Sequence, residues 1–464
     1  MSKPKYHIIT YGCQMNKSDS ERMDAILQGV GFESTNQEAE ADLILINTCS
    51  VRQSAEDRVF GKIRNFAKMK KKKPKLIVGI TGCMPGRDRD HKIKDKLPMV
   101  DLYFPTEAMG QLPRWIAELR PELVNSTDQI EDYLKITPEY QSTRQAYISI
   151  QTGCNNFCTY CVVPFARGLE KNRPLADIMK EIKDLAEQGC IEITLLGQTV
   201  NSYLAPDPEN FSKNNPFKHH FAALLWEVNQ VDGISRLHFT APHPIHMTDE
   251  VIDAMTLPAH LNFLHLPVQC GDNDILRKMN RRHTREQFLD VISRVKAKIP
   301  NIALGTDLIV GFCGETKEQF EATVDLYQKA DFDISYTARY SVRSGTAAWR
   351  AFEDDVPDEE KKRRWWTIQK LMEKNVYEKN QKFVGQSVSV LVERHEEPRI
   401  NKKIMAKPEI AEKILAKHPG NCFGNSRELK LVSFVGGPEL IGQIVEVKVN
   451  KADKWILFGE ILEW

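Results

Sequence analysis

Three cysteines fall within eight residues at Gly153-Cys154-Asn155-Asn156-Phe157-Cys158-Thr159-Tyr160-Cys161, a C-x-x-x-C-x-x-C spacing. They follow Ala146-Tyr147-Ile148-Ser149-Ile150, an apolar-alternating run whose period of two predicts a strand. The cysteines therefore occupy the loop leaving the carboxyl end of a strand, where α/β barrels place their chemistry. Structural cysteines pack as small hydrophobes, and a loop with Gly and Asn between its thiols does not look like a core. A tetrahedral zinc site usually uses paired C-x-x-C units, and a two-cluster ferredoxin uses four cysteines. A three-cysteine set leaves one iron of a [4Fe–4S] cluster without a protein ligand, open to a small chelating molecule.

At 464 residues the chain is long enough for two or three domains. Its net charge of +1, with 27% charged residues, gives no global pull toward nucleic acid, so any RNA contact must come from local patches. Met1-Ser2-Lys3-Pro4-Lys5 lacks the apolar core of a signal peptide, and no apolar run approaches the ~18 residues of a membrane span. No membrane association is expected, and a cytoplasmic location is. Ten cysteines, clustered at special spacings, point to metal in a reducing compartment rather than to disulfides.

From the N-terminus, Lys5 to Tyr11, Asp42 to Asn47 and Lys75 to Thr81 are apolar runs separated by helical patterns at Ser18 to Val30 and Ser54 to Met69. That alternation predicts a doubly wound parallel sheet. Each run is followed by a cysteine: Gly12-Cys13, Thr48-Cys49 and Gly82-Cys83. One cysteine at a strand end is ordinary packing. Three at the same topological place converge on the crevice at the carboxyl ends of the sheet, which predicts a second three-cysteine site. Lys68 to Lys75 carries six lysines in eight residues; it reads as a solvated face or as a phosphate contact. Glu118 to Tyr140 has no clean period and reads as a linker.

Apolar runs then restart near Tyr147, Ile191, Ile234, Leu261, Ile302 and Ile334, with amphipathic helices such as Leu175 to Gln188 and Arg285 to Lys298 between them. Six βα units predict a partial TIM-type (βα)6 barrel. Polar loops follow its strands at Gly197 to Asn201, Gln269 to Asn273 and Gly311 to Glu315, where glycine would let backbone approach a ligand, although each loop alone is a weak signal. A charged helix from Asp354 to Gln381 leads to short alternating runs at Val388 to Val392, Leu429 to Val435, Ile444 to Val449 and Trp455 to Ile461, a small antiparallel β-barrel. The expected boundaries are 1–122, a linker over 123–142, the barrel domain over 143–381 and the β-barrel over 382–464.

The cysteine loop resembles the radical S-adenosylmethionine (SAM) superfamily. Tyr11-Gly12-Cys13-Gln14-Met15-Asn16, Asn47-Thr48-Cys49-Ser50-Val51-Arg52, Gly82-Cys83, Gly153 to Arg167, Leu195 to Tyr203, Leu266 to Asn273, Met279 to Arg282 and Thr306 to Thr316 narrow the likeness. They resemble the methylthiotransferases, and within these the bacterial synthases of tRNA 2-methylthio-N6-isopentenyladenosine. The resemblance covers nearly the whole chain, and the C-terminal barrel is similar to the TRAM domain that holds RNA in that family.

The resemblance implies two [4Fe–4S] clusters, one on Cys154, Cys158 and Cys161 and an auxiliary one on Cys13, Cys49 and Cys83. It implies SAM on the open iron of the first, cleaved by one electron to a 5′-deoxyadenosyl radical. Tyr160, Gln198, Asn201 and Gly311 are the expected cofactor-binding residues, and no side chain is assigned as a catalytic acid or base. One SAM is expected to methylate sulfur on the auxiliary cluster and another to make the radical. Adenine C2 bears an unactivated C–H with no acidic proton, so a radical is the chemistry that fits. The implied partners of a monomer are the splayed anticodon loop of tRNA and a low-potential donor of flavodoxin or ferredoxin type. Threonylcarbamoyladenosine and a ribosomal-protein aspartate are alternative substrates; a non-enzymatic iron–sulfur RNA-binding protein is the alternative class. Cys270 and Cys313 depart from the family wording, and Arg394 to Asn421 looks like an insertion with a short amphipathic helix at Ile410, Ile414 and Leu415. Cys190 and Cys422 carry no signal.

Overall fold

Alternating apolar residues build a sheet with two covered faces. In the computed structural model, which describes residues 3–50, 53–398 and 420–463, five parallel strands run in the order β2-β1-β3-β4-β5. They are β1 (Lys5–Tyr11), β2 (Glu33–Ser34), β3 (Leu43–Thr48), β4 (Ile77–Gly82) and β5 (Leu102–Phe104). Leu43 and Leu45 point into one apolar layer with Met23, Leu27 and Ile116, whereas Ile44 and Ile46 point into the other with Val59, Ile63 and Phe66. The three long strands are those the sequence predicts; the short β2 and β5 are additions at the two edges. In register, Tyr11 stands opposite Thr48 and Thr48 opposite Gly82, so β1, β3 and β4 end level. In this strand order the chain reverses direction across the sheet between β1 and β3, where doubly wound sheets hold their ligands.

The stretch expected as a linker is irregular but packed. Leu123, Tyr133, Leu134 and Ile136 are buried in the first apolar layer. Its lack of periodicity marks missing regular structure rather than missing contacts.

Beyond it, β6 (Gln145–Ser149), β9 (Glu192–Leu196) and β10 (Arg236–Phe239) form a parallel sheet in the order β10-β9-β6. Two-residue strands β7 (Gln151–Thr152) and β8 (Lys171–Asn172) pair antiparallel and close the base of the loop carrying Cys154, Cys158 and Cys161. A second parallel sheet follows, β11 (Phe263–His265), β12 (Ala303–Val310) and β13 (Ile334–Arg339), in the order β11-β12-β13. All six expected barrel strands are therefore present as two parallel triplets.

The chain divides into two compact units, one of residues 1–254, 277–282 and 341–354, the other of 255–276, 283–340 and 355–464. Both cysteine triplets belong to the first. Helix Gln14–Gly29 helps to unite that unit, because it packs on the first sheet and also on β6. Its Ser18 Oγ hydrogen-bonds Ser149 Oγ at 3.2 Å.

In the second unit, β14 (Ser387–Glu396), β15 (Asn421–Ser426), β16 (Leu431–Val435), β17 (Ile444–Ala452) and β18 (Leu457–Glu463) close a barrel in the order β14-β15-β16-β18-β17. Val390, Val432, Val447 and Leu457 fill it. Four of its pairings are antiparallel, as expected, and β16 with β18 is parallel. The barrel is bolted to helix Asp358–Gln381: Asn380 Nδ2 donates to the carbonyls of Asp453 and Lys454, and Gln381 Nε2 to that of Ala452. The helix expected around Ile410, Ile414 and Leu415 lies outside the described residues. Among those described, no helix is long and apolar enough to cross a membrane.

Candidate metal centres

Cys13, Cys49 and Cys83 each follow one of the three level strand ends, so the loops that carry them leave the sheet side by side. Cys13 caps helix Gln14–Gly29 and is exposed; Cys49 and Cys83 are buried. Two asparagines brace the loops. Asn16 Oδ1 accepts from the Cys13 N–H at 3.3 Å and from its thiol at 3.4 Å. Asn16 Nδ2 donates to Asn47 Oδ1 at 3.0 Å, and Asn47 Nδ2 donates back to the Asn16 carbonyl at 2.8 Å. Gly82 adopts a φ of +100°, and a Cβ there would stand 2.4 Å from the Thr48 carbonyl oxygen, so the approach of the Cys83 loop to the Cys49 loop requires glycine.

Around these cysteines lies a buried ionic frame. Helix Cys83–Arg87 carries Cys83 at its start and Arg87 at its end. Arg87 pairs with Glu56 at 2.7 Å and hydrogen-bonds Ser50, beside Cys49, as well as Ser344. Arg343 lies near Glu56, Arg87 and Cys49. At the other end of the helix Arg167 lies beside Cys83 and pairs with Asp19. Burial pushes the Cys83 thiol up, nearby Cys13 adds to that, and Arg167 opposes it.

In the second triplet, Gly153 has a φ of +71°, and a Cβ there would meet the Leu169 carbonyl oxygen at 2.0 Å, which pins the mouth of the loop. Cys154 Sγ lies 3.4 Å from Thr199 Oγ1, which also accepts from Asn156 Nδ2 at 2.8 Å. The segment Met279 to Arg282 grips the other side: Thr159 N–H donates to the Met279 carbonyl at 3.0 Å, and Asn280 Nδ2 to those of Asn156 and Phe157. Arg281 Nη1 reaches Cys158 Sγ at 3.6 Å. The Cys161 thiol is pushed up to about 12, mainly by burial and then by Cys158 and Cys154. The Cys161 thiol thus resists ionising by itself, and a cation beside it would favour the thiolate.

Among the described residues, no group of three His, Cys, Asp or Glu side chains stands as a preformed metal-holding set. The fit of iron–sulfur groups therefore rests on donor chemistry: two sets of three thiols, none in a disulfide, in braced loops, each with a guanidinium beside a sulfur. The chemistry suits thiolate-ligated clusters, for which hydrogen bonds to sulfur and burial are the protein's levers.

The expected cofactor residues fare differently. Tyr160 is half-buried beside Cys158, Cys161 and Arg281, its hydroxyl held well above the usual range by burial. Gln198 is half-buried next to Thr199. Asn201 braces a neighbouring loop, donating to the His243 carbonyl at 2.9 Å and accepting from its N–H at 2.7 Å. Gly311 lies in the other compact unit, where its N–H donates to Glu315 at 2.5 Å and a Cβ would strike Lys361. Its φ of +70° and that crowding both favour glycine there. Thr199, Arg281, Arg167 and Asp19 were missed as site residues. The first three lie inside quoted motif stretches, but nothing in the order of residues says which side chains turn toward sulfur. Cys270 is buried against Thr323 and reads as packing. Of the lysine run, Lys70 pairs with Asp101 and Lys73 with Asp42, which accounts for part of it locally.

Residues 5–105 match the family described as uncharacterized protein family UPF0004, residues 148–327 the radical SAM superfamily and residues 412–462 the TRAM domain. Among solved structures, the chain is similar to the radical S-adenosylmethionine methyltransferase TsrM from Kitasatospora setae. The TM-score is 0.55 at 13% identity, over 75% of this chain and 74% of that one. The cobalamin-dependent S-adenosylmethionine radical enzyme OxsB gives a TM-score of 0.51 at 12% identity, over 78% and 56%. Fold and cysteine loop thus define a radical SAM enzyme, a class that implies a [4Fe–4S] cluster and SAM.

The most informative relatives are curated proteins named tRNA-2-methylthio-N(6)-dimethylallyladenosine synthase. That of Thermoanaerobacter sp. (strain X514) is 39% identical over 99% of this chain and 93% of its own. That of Carboxydothermus hydrogenoformans is 39% identical over 100% of both, and that of Clostridium botulinum (strain Okra / Type B1) 38% over 98% and 96%. The chain belongs to this family of radical SAM methylthiotransferases.

Proposed function

We propose that this enzyme converts N6-isopentenyladenosine, the N6-dimethylallyladenosine of its relatives' names, to the 2-methylthio derivative in tRNA next to the anticodon. One SAM serves as methyl donor and one as radical source. The observation that carries the reading is the presence of two braced cysteine triplets in one compact unit, within a chain that matches its relatives end to end. In this reading Cys154, Cys158 and Cys161 hold the cluster that binds SAM, with Tyr160 and Gln198 beside SAM, and Cys13, Cys49 and Cys83 hold a second. When bound, these groups supply the electron for SAM cleavage and a site for the sulfur to be transferred. Thr199, Asn156 and Asn280 keep the SAM-facing loop in shape, and Asn16 and Asn47 do the same for the auxiliary one. Asn201 holds the loop next to Thr199 through its bonds to His243.

The C-terminal barrel is the proposed RNA-holding module. Arg394 lies over the Phe423 ring at 4.0 Å and Lys451 over that of Phe458 at 5.6 Å, with Trp455 exposed, a mix of cations and aromatics suited to phosphates and unstacked bases. A monomer in the cytoplasm, fed electrons by a flavodoxin or ferredoxin, fits this chemistry. The test is mass spectrometry of tRNA nucleosides from cells with and without the gene. The 2-methylthio-isopentenyl nucleoside should vanish in its absence while the unthiolated nucleoside accumulates. Loss of a methylthio-threonylcarbamoyl nucleoside instead, or an unchanged tRNA profile, would overturn the proposal.

A further inference from the structure

Arg167 is the last residue of the short helix Val163–Arg167, which begins two residues after Cys161. That helix lies against the one that starts at Cys83: a Cβ on Gly86 would stand 2.2 Å from the Ala166 carbonyl oxygen. The contact brings Arg167 from the radical SAM loop to the N-terminal cysteines. Its side chain is 2% exposed, and Nη2 donates to Asp19, whose side chain is 1% exposed, on the helix capped by Cys13. The pair is unsaturated. Arg167 Nη1 and Asp19 Oδ1 are buried without a hydrogen-bond partner. A buried guanidinium with a spare N–H beside a thiol is costly unless something anionic takes the bond. Cys83 lies close enough to interact with it.

We propose that Arg167 is a positioning residue of the N-terminal centre: its free N–H serves the Cys83 sulfur and, balanced by Asp19, sets the reduction potential of the iron–sulfur group held there. This rests on the reading of Cys13, Cys49 and Cys83 as ligands. A positive charge near a cluster favours the more negative, reduced form, and a hydrogen bond to sulfur acts in the same direction. Asp19 tempers the first effect by offsetting the charge. The two side chains should therefore move the potential in opposite senses, which a role in packing alone would not do. Arg281, beside Cys158, is placed to do the same for the other centre, so each centre has its own arginine.

The experiment is a redox titration of anaerobically prepared holoenzyme, followed by electron paramagnetic resonance, with the two cluster signals resolved. Arg167→Gln should lower the potential of the N-terminal cluster and Asp19→Asn should raise it. The double variant Asp19→Asn/Arg167→Gln, which leaves a neutral pair if either single variant folds poorly, should fall between them. The radical SAM cluster should keep its potential in all three and shift in Arg281→Gln. Shifts of one sign for both single variants, or no shift, would overturn the proposal. A wild-type protein with only one cluster signal would instead overturn the assignment of the N-terminal cysteines as ligands.

Discussion

His260 is buried, with Nδ1 2.7 Å from the Leu261 carbonyl oxygen, and Arg427 donates to its own carbonyl. Burial, reinforced by the Arg427 charge and partly offset by the Leu261 carbonyl, holds its imidazole down at about 4, against roughly 6.5 for a free histidine. Unfolding frees the ring to take a proton that the folded state refuses. The second compact unit should therefore lose stability as pH falls from about 6.5 to 4, by ~3 kcal/mol at the bottom of that window, with no contribution above it. Urea unfolding across this range measures the loss, and His260→Phe should flatten the profile. A profile as steep in that variant would mean that other groups set the pH response. Residues of this kind are silent in sequence, where His260 is one histidine among twelve. The cysteines are legible because spacing alone constrains them, whereas the asparagines that brace them gain meaning only once β1 and β3 lie side by side.

Between elements, the close approach of the helices Cys83–Arg87 and Val163–Arg167 depends on Gly86. Gly86→Leu would drive a side chain into the Ala166 backbone, so the helices must part, at a cost of about 1–3 kcal/mol. We expect a lower urea midpoint for the first unit and faster iron loss to a chelator from the N-terminal centre. An unchanged midpoint with unchanged iron retention would show that the helices need not touch. At this scale the long elements were readable: the helix Arg285–Lys298 has the expected ends, and β12 and β13 start within a residue of expectation. Two failures share a cause. In β15, Cys422, Gly424 and Ser426 face the core, small or polar residues that leave no apolar alternation to detect. The segment from Glu118 to Tyr140 buries scattered apolar residues that follow no period. Pattern reading sees repetition, and these segments pack without it.

For the whole molecule, two separate triplets predict about eight irons per chain, four per cluster. Cys83→Ala should retain about four and still cleave SAM to 5′-deoxyadenosine, yet form no methylthio-nucleoside. Cys158→Ala should lose the cleavage itself. Chromatography of 5′-deoxyadenosine and mass spectrometry of the nucleoside on one preparation would test both. Normal product from Cys83→Ala would make the N-terminal cysteines structural. Loss of cleavage in a folded Cys83→Ala protein would mean that the shared unit makes one centre depend on the other. Removing residues 382–464 is a poor probe of RNA binding, because the barrel shares a buried ion network with the rest of its unit. Lys430 and Lys379 both pair with Asp333, which truncation would leave short of a partner. Exchange of Arg394 and Lys451 on the intact chain is the cleaner approach, and it should flatten the salt dependence of tRNA affinity.

The frame around Cys83 has a consequence for how the protein is made. A ribosome completes the third N-terminal cysteine at residue 83, but Arg167 emerges about 80 residues later and Arg343 about 260 residues later. At roughly 5–20 residues per second, the nascent thiols wait on the order of 13–50 seconds for the last of these neighbours. Throughout that interval they form an unframed trio, open to oxidation and to stray metals. For the cluster proposed on these cysteines, iron delivery is thus best timed once the stretch around Arg343, the late-arriving part of the frame, has emerged.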